Sequence, residues 1–110
     1  ADFESGNLTN AAVLFKECLK VDTAYTEAYY NLAQIEYKNK NYVQSINYGS
    51  SALRLNGSQS LAYSVLGQSY FMIENYDSSS YFFKRSLLYS EGNAIDYAMY
   101  ASSENKLKKF

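Results

Sequence analysis

Residues 60–93 read SLAYSVLGQSYFMIENYDSSSYFFKRSLLYSEGN, and this stretch decides the fold because the chain contains its pattern more than once. A shift of 34 residues brings Tyr63 onto Tyr29 and Tyr97, Leu66 onto Leu32 and Tyr100, and Gly67 onto Ala33 and Ala101. Tyr76 falls on Tyr42 and Leu8, Ser79 on Ser45 and Ala11, and Ser86 on Ala52 and Cys18. Leu87 falls on Leu53 and Leu19, and Tyr89 on Leu55 and Val21. Most columns keep their size class and polarity. Self-similarity at a fixed period of this length marks one supersecondary unit stacked on the next.

Within a period the spacing is helical. Tyr29, Leu32, Ala33 and the Glu36–Tyr37 pair fall on one face of a helix, as do Tyr42, Ile46, Gly49, Ala52 and Leu53. Alternation with period two is not sustained, so strands are not expected. Breaks fall at Ser5-Gly6-Asn7, Asn39-Lys40-Asn41 and Glu74-Asn75 inside a unit, and at Asn56-Gly57-Ser58 and Glu91-Gly92-Asn93 between units. Gly and Asn tolerate the left-handed backbone that ends a helix. The spacing predicts helices over 8–21, 25–38, 42–55, 59–72, 76–89 and 93–107, with a remnant of another over 1–4. Gly49, inside the third of these, is expected to let a neighbouring helix approach closely.

Composition bounds the chemistry. The 110 residues suit one domain, with 47% apolar and 19% charged side chains. Ten Lys and Arg against eleven Asp and Glu leave a net charge of -1, without the basic footprint of a nucleic-acid binder. The absence of His removes His-based triads, metal sites and pH switches. The one cysteine, Cys18, cannot form an internal disulfide or a multi-Cys zinc site, and it leaves the compartment open. No apolar run is long enough to span a bilayer, and no signal peptide is visible. No phosphate loop, nucleophile elbow or metal-ligand cluster occurs, so neither an enzyme nor a cofactor is expected. The chain starts at Ala1, which suggests a piece of something longer or a processed chain.

The residues at these columns resemble the tetratricopeptide repeat, a helix-turn-helix unit of the same period. Its first-helix pattern is met by Tyr63, Leu66, Gly67 and Tyr70. Its second-helix pattern is met by Tyr76, Ser79, Phe83 and Ser86. The unit before supplies Tyr29, Leu32, Ala33, Ser45 and Ala52, and the first supplies Gly6, Leu8, Ala11, Phe15, Cys18, Leu19, Val21 and Asp22. Departures are Thr23, Gly57 and Glu91 in a column that usually holds Pro, Glu36 for Tyr, and Gly49 for an aromatic. The resemblance implies an all-α fold, a right-handed superhelix of 34-residue repeats (an α-solenoid) forming a single domain. A partial repeat over 1–25 is expected, then repeats 26–59 and 60–93, then a partial repeat over 94–110.

The resemblance further implies a protein–protein interaction scaffold whose concave groove, lined by the first helix of each unit, holds a peptide or partner segment. Carried over column by column, the expected contacts are Tyr30, Gln34, Tyr37, Lys38, Leu61, Ser64, Gln68, Phe71 and Met72. Rigid aromatics supply area at low entropic cost, and amides satisfy a peptide backbone. Co-chaperone members of the family grip a terminal carboxylate with a Lys/Asn/Arg clamp. Here the matching columns hold Tyr30, Gln34, Val65, Ile95 and Met99, so acidic chaperone tails are disfavoured. The alternative is a self-assembly element, a homo-oligomer stacking through repeat ends that carry Leu107 and Phe110.

The remaining signals have plainer readings. Most Tyr and Phe columns are expected in the core, with Tyr30, Tyr37 and Phe71 turned to a ligand. Cys18 is expected as an inert buried thiol. Glu36, Asp96 and Glu104 are expected on solvated or ion-paired faces. Lys106, Lys108 and Lys109 fit a solvated last turn, and Asp77 to Ser80 a capped helix start.

Overall fold

The computed structural model describes residues 2–89 and 94–108. Among these, the chain is all-helical: α1 spans Asp2–Val21, α2 Thr26–Lys38, α3 Tyr42–Leu55, α4 Ser60–Met72, α5 Tyr76–Tyr89 and α6 Ala94–Leu107. No helix of the described residues is long and apolar enough to cross a membrane. The bounds of α3 and α5 coincide with the expected ones, and α2, α4 and α6 begin one residue later. The break expected at Glu91-Gly92-Asn93 lies outside the described residues, as do Lys109 and Phe110.

The reversals α2–α3 and α4–α5 are built alike. Lys40 and Glu74 take positive φ, 65° and 64°. Around them Asn41 N–H donates to Glu36 O at 2.8 Å and Lys40 N–H to Tyr37 O at 3.0 Å. Asn75 N–H donates to Tyr70 O at 2.9 Å and Glu74 N–H to Phe71 O at 3.0 Å. This paired pattern closes a helix C-terminus and satisfies its last carbonyls. The break expected at Ser5-Gly6-Asn7 does not form, and α1 runs through it. Gly6 shares the column of Lys40 and Glu74, but the described chain has no earlier helix for α1 to fold back on. A helical Gly costs only about 0.5–1 kcal/mol, which does not stop the ladder.

Consecutive helices pack as antiparallel neighbours, and α2 touches α4 as α4 touches α6. Among the described residues α1 does not touch α3, and α3 does not touch α5. The inner row of α2, α4 and α6 is therefore closed up while the outer row splays, so the stack curves with its inner face concave. The shortest dimension, 22 Å, is two helix diameters.

The core is made of small residues. Ala28, Ala33, Ala52 and Ala62 are fully buried with Leu32, Leu66 and Phe83. Four buried serines join each pair to the next. Ser45 Oγ donates to Ala33 O at 2.7 Å and receives Ser69 Oγ at 3.0 Å. One period on, Ser79 Oγ donates to Gly67 O at 2.9 Å and lies 2.9 Å from Ser103 Oγ. A buried hydroxyl without such partners costs about 1–3 kcal/mol, so in these columns serines come in facing pairs.

Four expectations are corrected. The aromatics are not mostly core: among the described residues only Tyr63 and Phe83 are buried, and Tyr25, Tyr81, Tyr89 and Tyr97 are exposed. Two helical layers are too thin to enclose so many rings. The rings pair at the edges instead, as Tyr70 stacks on Phe82 at 5.5 Å and Tyr37 meets Tyr42 edge-on at 5.6 Å. Cys18 is half-buried, because only α2 packs against α1. The first turn of α5 is capped by Asn75, whose Oδ1 accepts from Ser78 N–H at 3.3 Å, while Ser79 and Ser80 are buried. Asp96 is not solvated but 4% exposed.

Candidate functional site

The concave face carries a cleft between α2 and α4. Its volume is about 160 Å³, close to that of a cavity able to hold a benzene ring. Tyr30, Gln34, Tyr37 and Lys38 of α2 face Leu61, Ser64, Val65 and Gln68 of α4 across it. Helical spacing puts 30, 34, 37 and 38 on one stripe and 61, 64, 65 and 68 on the other. Core contacts hold both stripes: Leu32 and Ala33 anchor α2, and Ala62, Leu66 and Gly67 anchor α4.

Seven of the nine expected contacts, Tyr30, Gln34, Tyr37, Lys38, Leu61, Ser64 and Gln68, therefore line one cleft. Phe71 and Met72 are not in it. Phe71 meets Tyr76 edge-on at 5.3 Å across the α4–α5 reversal, as Tyr37 meets Tyr42 one period earlier. Met72 is exposed at the end of α4. Sequence reading placed Val65 only in the clamp columns, although it lines the cleft one turn from Leu61.

It also missed Asp96. The signal was present: Asp96 shares its column with Ala28 and Ala62, both fully buried. A carboxylate in a column of buried alanines is inside the protein. Ser64 Oγ donates to Asp96 Oδ1 at 2.6 Å, and Gln68 Nε2 donates to Ser64 Oγ at 3.3 Å. Asp96 lies in the first turn of α6, where the helix dipole favours negative charge.

The polar and aromatic groups of the cleft are tuned by this setting. Burial raises the Tyr30 phenol above its ordinary value, and the charge of Asp96 raises it further. Burial also raises Tyr37, with a smaller effect from Tyr42. Both phenols are thus neutral hydrogen-bonding groups at neutral pH. No group of three or more potential metal ligands exists among the described residues.

A curved stack of helix hairpins with an open inner cleft defines a helical-repeat protein, an α-solenoid. The particular repeat is set by sequence: residues 2–69 match the tetratricopeptide repeat family, and the chain belongs to it. The fold is similar to the first TPR domain of Spaghetti (RPAP3), solved bound to the HSP90 peptide SRMEEVD. That likeness has a TM-score of 0.89 at 19% identity, over 96% of this chain and 84% of that one. It is similar to the first TPR domain of human RPAP3, with a TM-score of 0.87 at 19% identity over 97% and 84% of the two chains. YrrB, a TPR protein described as having an unusual peptide-binding site, matches with a TM-score of 0.80 at 21% identity, over 86% of this chain and 48% of that one. At these identities the likeness is one of fold. No curated protein sequence matches the chain.

Proposed function

We propose that this chain is a protein-interaction scaffold that holds an extended partner segment against the concave face of α2 and α4. The observation that carries the reading is the cleft itself: two apolar or aromatic walls, two amides and a hydroxyl, all on helices fixed by the core. Such a surface offers a peptide both side-chain area and backbone hydrogen bonds. Structurally similar domains have been solved with the peptides SRMEEVD and SGPTIEEVD, which supports peptide capture as the general use of the fold. Among the described residues lining the cleft, Lys38 is the single cation, so a different class of segment is expected here.

The test is selection of random octapeptides on the intact chain, followed by affinity measurement on Tyr30→Ala/Gln68→Ala. The double variant is expected to weaken binding more than tenfold with helicity retained by circular dichroism. Unchanged affinity contradicts the assignment of Tyr30, Gln34, Tyr37, Lys38, Leu61, Ser64 and Gln68 as contacts. Phe71 and Met72 belong to a more distant part of the same face, and their alanine variants are expected to matter less.

A second reading, assembly through the repeat ends, has its own observation. Tyr63 is 7% exposed against α5, whereas Tyr97 in the same column is 54% exposed. No described helix pairs with α6 as α5 pairs with α4. The columns of α1 match those of α3 and α5, so α1 of a second copy is the fitting occupant, in a head-to-tail contact. Sedimentation of the chain over a wide concentration range is expected to show growing mass, reduced by Tyr97→Glu. A monomer at every concentration rejects it.

A further inference from the structure

The polar end of the cleft has a direction. Gln68 spends an amide proton on Ser64, and Ser64 spends its hydroxyl proton on Asp96, at 3.3 and 2.6 Å. A hydroxyl has one proton and two lone pairs. With its proton committed inward, the Ser64 hydroxyl presents the cleft with an acceptor. Donation to a charged carboxylate polarises that oxygen and makes it a better acceptor. The Gln68 interaction is long, so a charged donor competes for the same lone pair on favourable terms. Asp96 is only 4% exposed, so water and salt screen its charge poorly. Its field reaches Tyr30 on the facing wall, since it adds to the rise of that phenol.

From this arrangement we infer that the cleft selects a basic side chain, Lys or Arg, of the partner segment, its charged head at Ser64 in front of Asp96 and its stem along Tyr30 and Leu61. The inference rests on the groove reading above and adds the chemistry of one subsite. The walls suit it. An aliphatic stem is covered by the apolar side of Tyr30 and Leu61, and aromatic faces attract cations. About 160 Å³ accommodates one long side chain. Lys38 also lines the cleft, but it stands a full two turns along α2 from Tyr30 and is exposed, so water screens its charge far better than that of Asp96. The position of Asp96 in the first turn of α6 accounts for a carboxylate being tolerated there. It does not account for a serine of the neighbouring helix donating to it while an amide of that helix donates to the serine.

The experiment is parallel selection of phage-displayed random octapeptides on the wild-type chain and on Asp96→Asn, which keeps an acceptor for Ser64. The wild type is expected to recover Lys or Arg at one fixed position at least ten times as often as Asp or Glu. Asp96→Asn is expected to recover peptides without that preference. One wild-type peptide is then remade with norleucine for its basic residue. Its affinity should fall about tenfold on the wild type and hardly at all on Asp96→Asn, the coupling that identifies a pair. If Asp96→Asn does not fold, Ser64→Ala takes its place with the same expected loss. Peptides that bind with no basic preference, with an acidic one, or with a basic one that survives both variants overturn this inference and leave the groove reading standing. Failure to recover any peptide removes both.

Discussion

Helix pairs α2–α3 and α4–α5 follow one pattern and fill it in opposite ways. A single column holds Gly49 in α3 and Phe83 in α5. A Cβ on Gly49 would lie 3.0 Å from Leu66 Cγ, so the glycine gives its room to the next pair. Phe83 does the reverse and reaches back over Gly67, where a Cβ would meet its ring at 3.0 Å. Leu66 and Phe83 are both fully buried. What the repeat preserves is the volume shared by facing columns, not the residue in either. The result is uneven. Helix α4, clasped from both sides, is buried from Ala62 through Gly67, and α2 only along one stripe. The polar end of the cleft thus stands on the firmest element of the fold.

The sharpest way to break this contrast is Phe83→Ala, which should cost about 3–5 kcal/mol in urea unfolding by emptying the space over Gly67. Gly67→Ala should cost about 1–3 kcal/mol although alanine is the better helix former, because the ring cannot move aside. Combined with Phe83→Leu its cost should shrink, and simple additivity would show that the two columns do not share volume. The serine pairs test where the two units agree. Ser45→Ala and Ser79→Ala should each cost about 1–2 kcal/mol and by similar amounts, since each removes the same hydrogen bond one period apart. A cost confined to one of them would mean that the ladder serves a single interface.

Two smaller effects follow. Glu74→Gly relieves a positive φ at the end of α4 and should stabilise the chain by up to about 1 kcal/mol. Lys40→Gly should do the same for α2. The raised phenols give a pH dependence. Folded Tyr30 and Tyr37 hold their protons above the ordinary tyrosine value of about 10, so the unfolded chain ionises first. Stability from this source is complete below about pH 10 and is lost as pH rises through the folded values. Tyr30→Phe and Tyr37→Phe should flatten that decline in urea midpoints taken between about pH 8 and 11. An unaltered slope would show that the phenols are as solvated as in the unfolded chain.

The helices were legible because Leu32, Leu66, Ala33 and Gly67 recur at fixed spacing and the reversals carry Asn, Lys and Glu where an apolar stripe stops. The cleft stripes were legible through the family resemblance, whose groove columns carry over to Tyr30, Gln34, Ser64 and Gln68, and helical spacing is consistent with them, since it keeps 30 with 34 and 64 with 68. Periodicity says which side of a helix a residue is on, not how much protein lies beyond it. That is why the rings of Tyr89 and Tyr97, in repeating columns where most aromatics were expected inside, stand exposed. It is also why Cys18 was expected buried and is covered from one side only. Asp96 was misread by type, as a charge belonging in water, when its column of alanines placed it in the interior. Phe71 shares a column with Tyr37 and packs on the next helix in the same way, but the cleft lies between α2 and α4, so the column on α2 lines it and its repeat on α4 does not.

The most direct measurement is a set of intermolecular nuclear Overhauser contacts between the labelled chain and one selected octapeptide. Contacts from the peptide to Tyr30, Leu61 and Val65, with α3 and α5 silent on their outer faces, are the expected result. Contacts that run along the outer rings of Tyr81 and Tyr89 instead, with the α2–α4 cleft untouched, would contradict the account.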